Sequence, residues 1–157
     1  MTTTPENYVK ILFRFYSNLL EKQTVETMWA EIMDADAGLY ILDSIPFYAS
    51  DLAFGDVISA VYSEDKDMLT YKETVSYSGN STVQVIVFEK MGVTDEIRAF
   101  FDDLGCVSEK FKEGYFVIDV PADLTYTPVR NKLQELSEAG IIDYAEPCLS
   151  AAHGNAQ

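Results

Sequence analysis

The chain is 157 residues long, and its 26 acidic and 11 basic residues give it a formal net charge of −15. Because 48% of its residues are hydrophobic and 13% are aromatic, the composition excludes a disordered acidic segment, which would be poor in both. The negative charge disfavours nucleic acid and anionic lipid as partners, and it attracts a cationic protein partner.

The first half of the chain predicts a series of short strands. Residues 8–16 alternate between apolar and polar side chains, which indicates a strand with one well-buried face. Apolar or alternating segments bounded by turn residues predict four more strands, at residues 25–33, 39–42, 56–62 and 69–77. Many short strands with acidic turns and little helix favour a small antiparallel barrel or half-barrel, which we place in residues 1–80.

The second half, residues 81–148, alternates strands with helices. Thr94 is predicted to cap a helix that ends at Gly105, and Thr127 is predicted to cap a second helix. Around these helices the sequence predicts strands at residues 83–88, 106–111, 115–120 and 141–145. The resulting order, β-α-β-β-α-β, is that of ferredoxin-like domains.

The predicted fold class is therefore α+β, with a barrel-like N-terminal half followed by a ferredoxin-like C-terminal half. Residues 149–157 are small and polar, and we predict that they form a flexible tail. The N-terminus has no secretory signal, and no apolar run reaches the roughly 20 residues of a membrane span. Cys106 and Cys148 show neither a C-x-x-C pairing nor metal-site spacing, so we expect buried thiols in a reducing cytoplasm.

The sequence offers little for catalysis. His153, the single histidine, lies in the predicted tail, where we expect it to be exposed and too poorly positioned to act as a base. Cys106 follows the first helix, whose negative end disfavours a thiolate. A glycine-rich phosphate loop and a nucleophile elbow are both missing from the sequence. We therefore predict no catalytic residue, no metal site and no cofactor.

Clustered acidic residues are the remaining polar candidates. None of the clusters supplies the fixed oxygens, central glycine and closing glutamate of a calcium-binding loop. Solvated turns and helix faces are the simpler interpretation, and the same exposed positions are compatible with contacts to a basic partner. The residues predicted to bind such a partner are Asp34, Asp36, Asp43, Asp65, Asp67, Asp102 and Asp103.

Aromatic residues with acids near them form a second set of candidates. Packing is a simpler role for these rings than ligand stacking, with Trp29 in the core or as a lid over it. A carboxylate beside an aromatic ring can have a raised pKa, so Glu31 or Asp56 could perform acid–base chemistry if the protein is an enzyme. The residues predicted to be structural or to line a pocket are Trp29, Glu31, Pro46, Phe47, Tyr48, Gly55 and Asp56.

Four short segments carry a resemblance to a known family: Met28-Trp-Ala-Glu31, Leu42-Asp-Ser-Ile-Pro-Phe-Tyr-Ala49, Leu52-Ala-Phe-Gly-Asp-Val-Ile58 and Ser78-Gly-Asn-Ser-Thr82. They resemble an uncharacterised bacterial family known as domain of unknown function 4265, whose pattern reads W-A-E, N-I-P-F-Y, G-D-V-V and S-G-H-S-T. The chain differs at Ser44, where the family tends to have Asn, and at Asn80, where it tends to have His. Any acid–base role of that histidine is therefore missing. The resemblance reaches about residue 120, and it implies a small bacterial protein without naming a reaction.

Three functions are compatible with these observations. We favour a non-catalytic immunity protein that neutralises a cognate bacterial toxin, because toxins that attack nucleic acid are typically basic and attract an acidic inhibitor. The second is a small-molecule sensor or regulatory module that uses the ferredoxin-like half. An enzyme that uses Glu31 or Asp56 ranks last. We expect a monomer or a small homo-oligomer.

Overall fold

The first five strands form one sheet that closes on itself as a barrel. They belong to the first of two units into which the chain divides, unit 1 (residues 1–78) and unit 2 (residues 79–157). The computed structural model describes residues 7–88 and 92–154. The strands of unit 1 are β1 (Tyr8–Ser17), β2 (Lys22–Asp34), β3 (Leu39–Leu42), β4 (Val57–Ser63) and β5 (Met68–Ser76).

The barrel is closed firmly on one side of β1 and weakly on the other. β1 pairs antiparallel with β2 over all of its 10 residues. On its other edge β1 meets β5 in parallel, and the register contains only two positions, Ile11 with Leu69 and Leu12 with Thr70. A long connection between β3 and β4, residues 43–56, is called the β3–β4 loop below.

Alternation along the strands fills the interior of the barrel. In β1 the side chains of Ile11 and Phe13 are buried, and those of Val9 and Phe15 are partly buried against the same cluster. This is the face that the sequence predicts for residues 8–16, since successive side chains in a strand point to opposite sides. The other buried residues of this core are Met28, Ala30, Tyr40, Leu42, Ala49, Leu52, Ile58 and Ala60.

Unit 2 is a four-stranded antiparallel sheet with the strand order β7-β8-β6-β9. Two longer helices contribute buried residues to one core with the sheet, among them Phe101 and Leu133, and Val85, Phe116 and Ile118 of the sheet belong to the same core. Its elements are β6 (Ser81–Val87), α1 (Thr94–Asp103), β7 (Val107–Lys112), β8 (Tyr115–Val120), α2 (Thr127–Glu138), β9 (Ile142–Cys148) and α3 (Ala151–Gly154).

Helix α1 begins differently from its prediction and ends as expected. Val93 is the N-cap and makes no side-chain cap bond, whereas Thr94 is already helical and its Oγ1 accepts the Gly114 N–H at 3.2 Å. Gly105 follows the helix with φ +108°, a conformation that favours glycine and lets the Cys106 N–H reach the Phe101 carbonyl oxygen. Thr127 likewise provides no cap, since Tyr126 is the N-cap of α2.

The predicted flexible tail is wrong for residues 149–154. These residues continue from β9 into the short helix α3, and His153 is only 1% exposed rather than free in solvent. The segment consists mostly of small and polar residues, but long-range hydrogen bonds to its one imidazole hold it in place. Residues 155–157 of the predicted tail lie outside the described residues.

The prediction of a mixed α+β fold is confirmed. The sheets have five and four strands, their pairings are mostly antiparallel, and helices are few.

Candidate functional site

The β3–β4 loop is closed at its base by backbone hydrogen bonds. The Leu42 N–H donates to the Asp56 carbonyl oxygen, and the Gly55 N–H donates to that of Leu42, each at 2.8 Å. The loop contains Pro46, Phe47 and Tyr48 and ends at Gly55 and Asp56. It therefore gathers five of the seven residues that the sequence predicts to be structural or pocket-lining.

Glu26 of β2 holds the first half of this loop, although the sequence gives it no role. Its carboxylate accepts three consecutive backbone N–H groups, from Phe47 at 2.7 Å, Tyr48 at 3.2 Å and Ala49 at 3.0 Å. Burial raises the pKa of Glu26, while the three N–H donors act in the opposite direction. Burial, followed by the negative charge of Glu26, raises the pKa of the Tyr48 phenol. The carboxylate thus fixes the bend that the sequence predicts at Pro46.

Asp56 holds the second half of the loop. Its side chain is fully buried, and its two oxygens accept the N–H groups of Ala53 at 3.0 Å and Ser78 at 2.9 Å. The Ser78 hydroxyl in turn donates to the Phe54 carbonyl oxygen at 2.8 Å. Burial raises the pKa of Asp56, and the hydrogen bonds lower it. Both oxygens of Asp56 are therefore engaged in holding backbone.

Trp29 and Glu31 lie away from the loop interior, and Trp29 does not lie in the core, which is one of the two positions predicted for it. Trp29 is 45% exposed because its neighbours Met28 and Ala30 occupy the inner face of β2, and Lys10 Nζ lies 5.2 Å from the centre of its ring. Glu31, two residues further along, shares the outer face and is exposed. The backbone of Trp29 does serve the loop, because its N–H donates to Ser44 Oγ at 3.1 Å.

A small cavity lies between the β3–β4 loop and the weakly closed side of the barrel. Its volume is about 150 Å³, and it is lined by residues 13–15 of β1, residues 49–52 of the loop and Tyr71 of β5. The rings of Phe13 and Tyr71 stack with their centres 4.9 Å apart. We call this space the loop cavity.

The acids predicted to bind a partner do not form one surface. Four of them lie at one end of the barrel: Asp34, Asp36, Asp65 and Asp67. Leu39, which follows the β2–β3 turn, opposes Ser59, and β4 continues from Ser59 towards the β4–β5 turn, so the two turns lie at the same end. Asp43 follows β3 at the opposite end of the barrel. Asp102 and Asp103 belong to α1 of unit 2. Four of the seven therefore share an end of unit 1, which we call the acidic end.

A groove on unit 1 begins at the acidic end. It has a volume of about 560 Å³ and is lined by residues 35–40 and 59–62 together with four residues of β5. Three of its apolar side chains are more than half exposed, Val61 at 55%, Tyr62 at 57% and Val75 at 53%. The Tyr62 hydroxyl donates to the Asp67 carboxylate, which raises the pKa of the phenol. We call this surface the β4 groove.

Ion pairing divides unevenly between the units. The salt bridges between described residues join Asp95 to Arg98 and Lys110, Lys110 to Glu113, and Lys132 to Glu135, all within unit 2. Unit 1 carries 13 acids and 5 bases, and none of its described charged residues takes part in a salt bridge. The field of the acidic end is therefore not neutralised by ion pairs in the described part of the chain.

His153 joins the end of the chain to the first strand of unit 2. Its Nδ1 lies 2.6 Å from Ser81 Oγ, and its Nε2 lies 3.0 Å and 3.1 Å from the carbonyl oxygens of Pro121 and Leu124. Because carbonyls only accept, these partners assign the proton to Nε2, and Nδ1 accepts the Ser81 hydroxyl when the ring is neutral. A serine on an imidazole nitrogen can be an activated nucleophile, but Ser81 is 0% exposed and His153 1%. In this structure the pair holds the C-terminal segment.

Asn80, the other residue at which the chain differs from the family pattern, is also part of the structure's framework. Its Oδ1 accepts the Ala122 N–H at 2.8 Å. Ser44, Asp56, Asn80 and Ser81 all lie in the segments that carry the family resemblance, and each one fixes a backbone connection. The resemblance therefore follows positions that shape loops.

In residues 7–88 and 92–154, which the structure describes, no three side chains among His, Cys, Asp and Glu come together in a way that could hold a metal ion. None of the helices in those ranges combines the length and apolar character needed to cross a membrane.

Comparisons with known proteins identify a family and a structural relative. The model of a family described as "Domain of unknown function (DUF4265)" matches residues 26–144. A solved structure described as "Novel crystal structure of a hypothetical protein from Neisseria gonorrhoeae" aligns with 22% sequence identity and a TM-score of 0.79. The alignment covers 96% of this chain and 99% of that one, and at this identity it shows the fold alone. No curated protein sequence matches the chain.

Proposed function

This chain belongs to the family of the domain of unknown function 4265, and from that premise we propose that it is a non-catalytic acidic binding protein for a basic protein partner. In its specific form the proposal is a bacterial immunity protein in the cytoplasm that neutralises a cognate basic toxin, such as a nuclease. The buried free thiols of Cys106 and Cys148 agree with a reducing compartment.

The observation that carries the proposal is the β4 groove beside the acidic end of unit 1. An interface usually combines an apolar centre, which loses its water on binding, with charged residues around it. Val61, Tyr62 and Val75 provide exposed apolar surface in this groove. The β2–β3 turn, the β4–β5 turn and Asp34 at the end of β2 lie beside this apolar surface. Together they contain five acidic residues and one basic residue, and no ion pair among the described residues neutralises these charges.

The two parts of this surface would act at different stages of binding. The field of the unpaired carboxylates draws a basic protein towards the acidic end and raises the association rate, an effect that salt screens over about 10 Å. The exposed apolar side chains then lose water against the partner and slow its dissociation. If the partner is a nuclease, the acids occupy the surface on which it would bind phosphates.

The first experiment is co-expression and co-purification with the product of the neighbouring gene. We expect a complex and relief of that product's toxicity. Stopped-flow association at low and high salt then separates the two stages, because added salt should slow association far more than it speeds dissociation. A neighbouring product that is not toxic, or whose toxicity persists, overturns the immunity role.

Matched variants assign the surface. Asp36→Asn with Asp65→Asn should lower the association rate by about tenfold at low salt, whereas Asp103→Asn with Asp123→Asn makes the same change in net charge in unit 2 and should alter it far less. Tyr62→Ala should chiefly raise the dissociation rate. Equal effects of the two double variants would show that only net charge matters and that the acidic end is not the binding surface.

An alternative function is a small-molecule sensor built on unit 2, which we propose to be a ferredoxin-like domain. The order of its elements and the strand order β7-β8-β6-β9 support that assignment. A cavity of about 210 Å³ in unit 2, lined by Ile97 and Phe100 of α1 and by Leu136 of α2, favours the sensor. Thermal stabilisation by one metabolite, lost on Phe100→Ala, with no protein partner found, would favour this function over the first.

A further inference from the structure

The loop cavity lies where the barrel is least closed. Beyond the two register positions that join β1 to β5, residues 13–15 of β1 are paired with β2 on one edge, and on the other edge no described strand pairs with them. Residues 49–52 of the β3–β4 loop lie opposite, and the cavity is the space between them. Glu26 and Asp56 hold the two halves of the loop, so this space has a fixed wall.

The size and the walls of the cavity suit one small apolar group. Phe13, Phe15 and Tyr71 provide aromatic surface, and Ala49 and Leu52 provide aliphatic surface. A cavity of about 150 Å³ with such walls is large enough for a molecule the size of benzene. A single aromatic or branched aliphatic side chain would fill it.

The two charged residues that line the cavity have opposite signs. Arg14 and Asp51 both line it and both are exposed, and they form no salt bridge with each other within 4.0 Å. Asp51 is fixed in an unusual conformation, with φ +61°, and its Oδ2 accepts the Tyr77 hydroxyl at 3.0 Å. Aspartate is among the few non-glycine residues that tolerate this left-handed region. One base and one acid beside an apolar cavity are complementary to a zwitterion.

We propose that the loop cavity binds a free amino acid whose side chain is aromatic or branched and apolar. The side chain enters between Phe13, Phe15 and Tyr71, the carboxylate pairs with Arg14, and the ammonium group pairs with Asp51. This site is separate from the β4 groove, and the inference does not depend on the proposed protein partner.

The binding experiment uses the full chain and defined probes. L-phenylalanine and L-leucine at about 10 mM should raise the melting temperature, since a ligand that binds only the folded state stabilises it. Glycine, which lacks the side chain, should give no shift. 3-Phenylpropanoate and 2-phenylethylamine, which each lack one charge, should bind at least about tenfold more weakly than phenylalanine by calorimetry.

Two variants that each remove one charge, together with a control, locate the site. Arg14→Gln and Asp51→Asn should each weaken phenylalanine binding by about tenfold or more, and asparagine tolerates the left-handed backbone of residue 51. Lys22→Gln removes one charge elsewhere in unit 1 and should leave binding unchanged. In ¹⁵N-correlated spectra, added phenylalanine should shift the amides of residues 13–15 and 49–52.

Several results would overturn this assignment. The first is a melting temperature that neither L-phenylalanine nor L-leucine raises. The others are equal affinity for phenylalanine and 3-phenylpropanoate, and spectral shifts confined to unit 2. Binding that is equally strong in the Arg14→Gln and Asp51→Asn variants would also overturn it, because both charges are then irrelevant.

Discussion

Glu26 is a single residue that holds the first half of the β3–β4 loop. Three backbone N–H groups share its carboxylate, so Glu26→Ala leaves three donors without their acceptor. We expect the free energy of unfolding to fall by about 2–4 kcal/mol, measured by urea denaturation. Glu31→Ala on the same strand is the control, and because Glu31 is exposed we expect a change within about 0.5 kcal/mol. Equal losses would show that the loop does not depend on this carboxylate.

The pH dependence of the Glu26→Ala effect has a definite sign. Burial is the largest influence on Glu26 and raises its pKa above 4.5 in the folded state. The folded chain therefore binds this proton more tightly than the unfolded chain does. The resulting stabilisation is fully present below pH 4.5 and is lost as the pH rises through the folded-state pKa. The free energy of unfolding that Glu26→Ala removes should thus be larger near about pH 4 than near about pH 7. The opposite trend would contradict a raised pKa of Glu26.

Cys106 should be nearly inert in the folded chain. Burial first, and then the charges of Asp119 and Asp102, raise the pKa of its thiol to about 12. Only the thiolate reacts with alkylating reagents, so we expect iodoacetamide to label Cys106 at least on the order of a thousandfold more slowly than a free cysteine at neutral pH. Peptide mass spectrometry in buffer and in urea measures this rate. Rapid labelling in buffer would show that the thiol is accessible and ionised.

The residues that sequence reasoning misjudged are those whose partners lie far along the chain. Glu26 is bound to backbone 21 to 23 positions away, and His153 to a serine 72 positions away. No local spacing encodes such pairs, because only the completed fold brings them together. Trp29 differs, since its place between Met28 and Ala30 follows from alternation: a large ring could not share the inner face with its immediate neighbours.

At the level of elements, the C-terminal segment should contribute to stability. Ending the chain at Cys148 removes His153 and leaves Ser81 and the carbonyls of Pro121 and Leu124 without its imidazole. We expect the free energy of unfolding to fall by about 2–4 kcal/mol and amide hydrogen exchange in β6 to become faster. His153→Ala in the full chain should reproduce most of this loss.

Ala152→Ser is a suitable control for the C-terminal segment. Ala152 is an exposed residue of the same short helix, so we expect a change within about 0.5 kcal/mol. If the chain ending at Cys148 were as stable as the full chain, the hydrogen bonds of His153 would have no net effect on stability.

Strands and helices with strong patterns were predictable, and their boundaries and caps were less so. The alternation in residues 8–16 gave β1 almost to the residue, whereas β2 begins at Lys22, three residues before its predicted start. Pairing with β1 extends β2, and a partner strand is not visible in the local sequence. Thr94 failed as a cap because Gly114 of the neighbouring hairpin takes its hydroxyl. Tertiary contacts override local preference in both cases.

At the level of the whole molecule, the net charge of −15 should make stability depend on salt. Repulsion between carboxylates opposes the compact state, and ions screen it. In each salt bridge of unit 2 the acidic partner is exposed, so these pairs contribute little that salt could weaken. We expect the melting temperature to rise by several degrees between about 20 mM and about 500 mM sodium chloride, measured by circular dichroism.

A variant with four fewer negative charges tests the cause of this salt dependence. Asp36→Asn, Asp65→Asn, Asp103→Asn and Asp123→Asn combined should reduce the rise in melting temperature. A melting temperature that falls with salt in the unmodified chain would mean that attractive pairs, and not repulsion, dominate its electrostatics.

The bond between Ser81 and His153 has a consequence for the order in which the protein is made. A ribosome releases the chain from its N-terminus, so unit 1 has all five of its strands once Ser76 has emerged. Unit 2 begins with β6, whose neighbours β8 and β9 come later in the chain, and the imidazole that bonds to Ser81 belongs to a residue 72 positions further on. Unit 1 can therefore fold while unit 2 is still being synthesised, whereas unit 2 cannot complete its hydrogen bonds before His153 has emerged, and stalled chains should expose an unfinished sheet to chaperones and proteases.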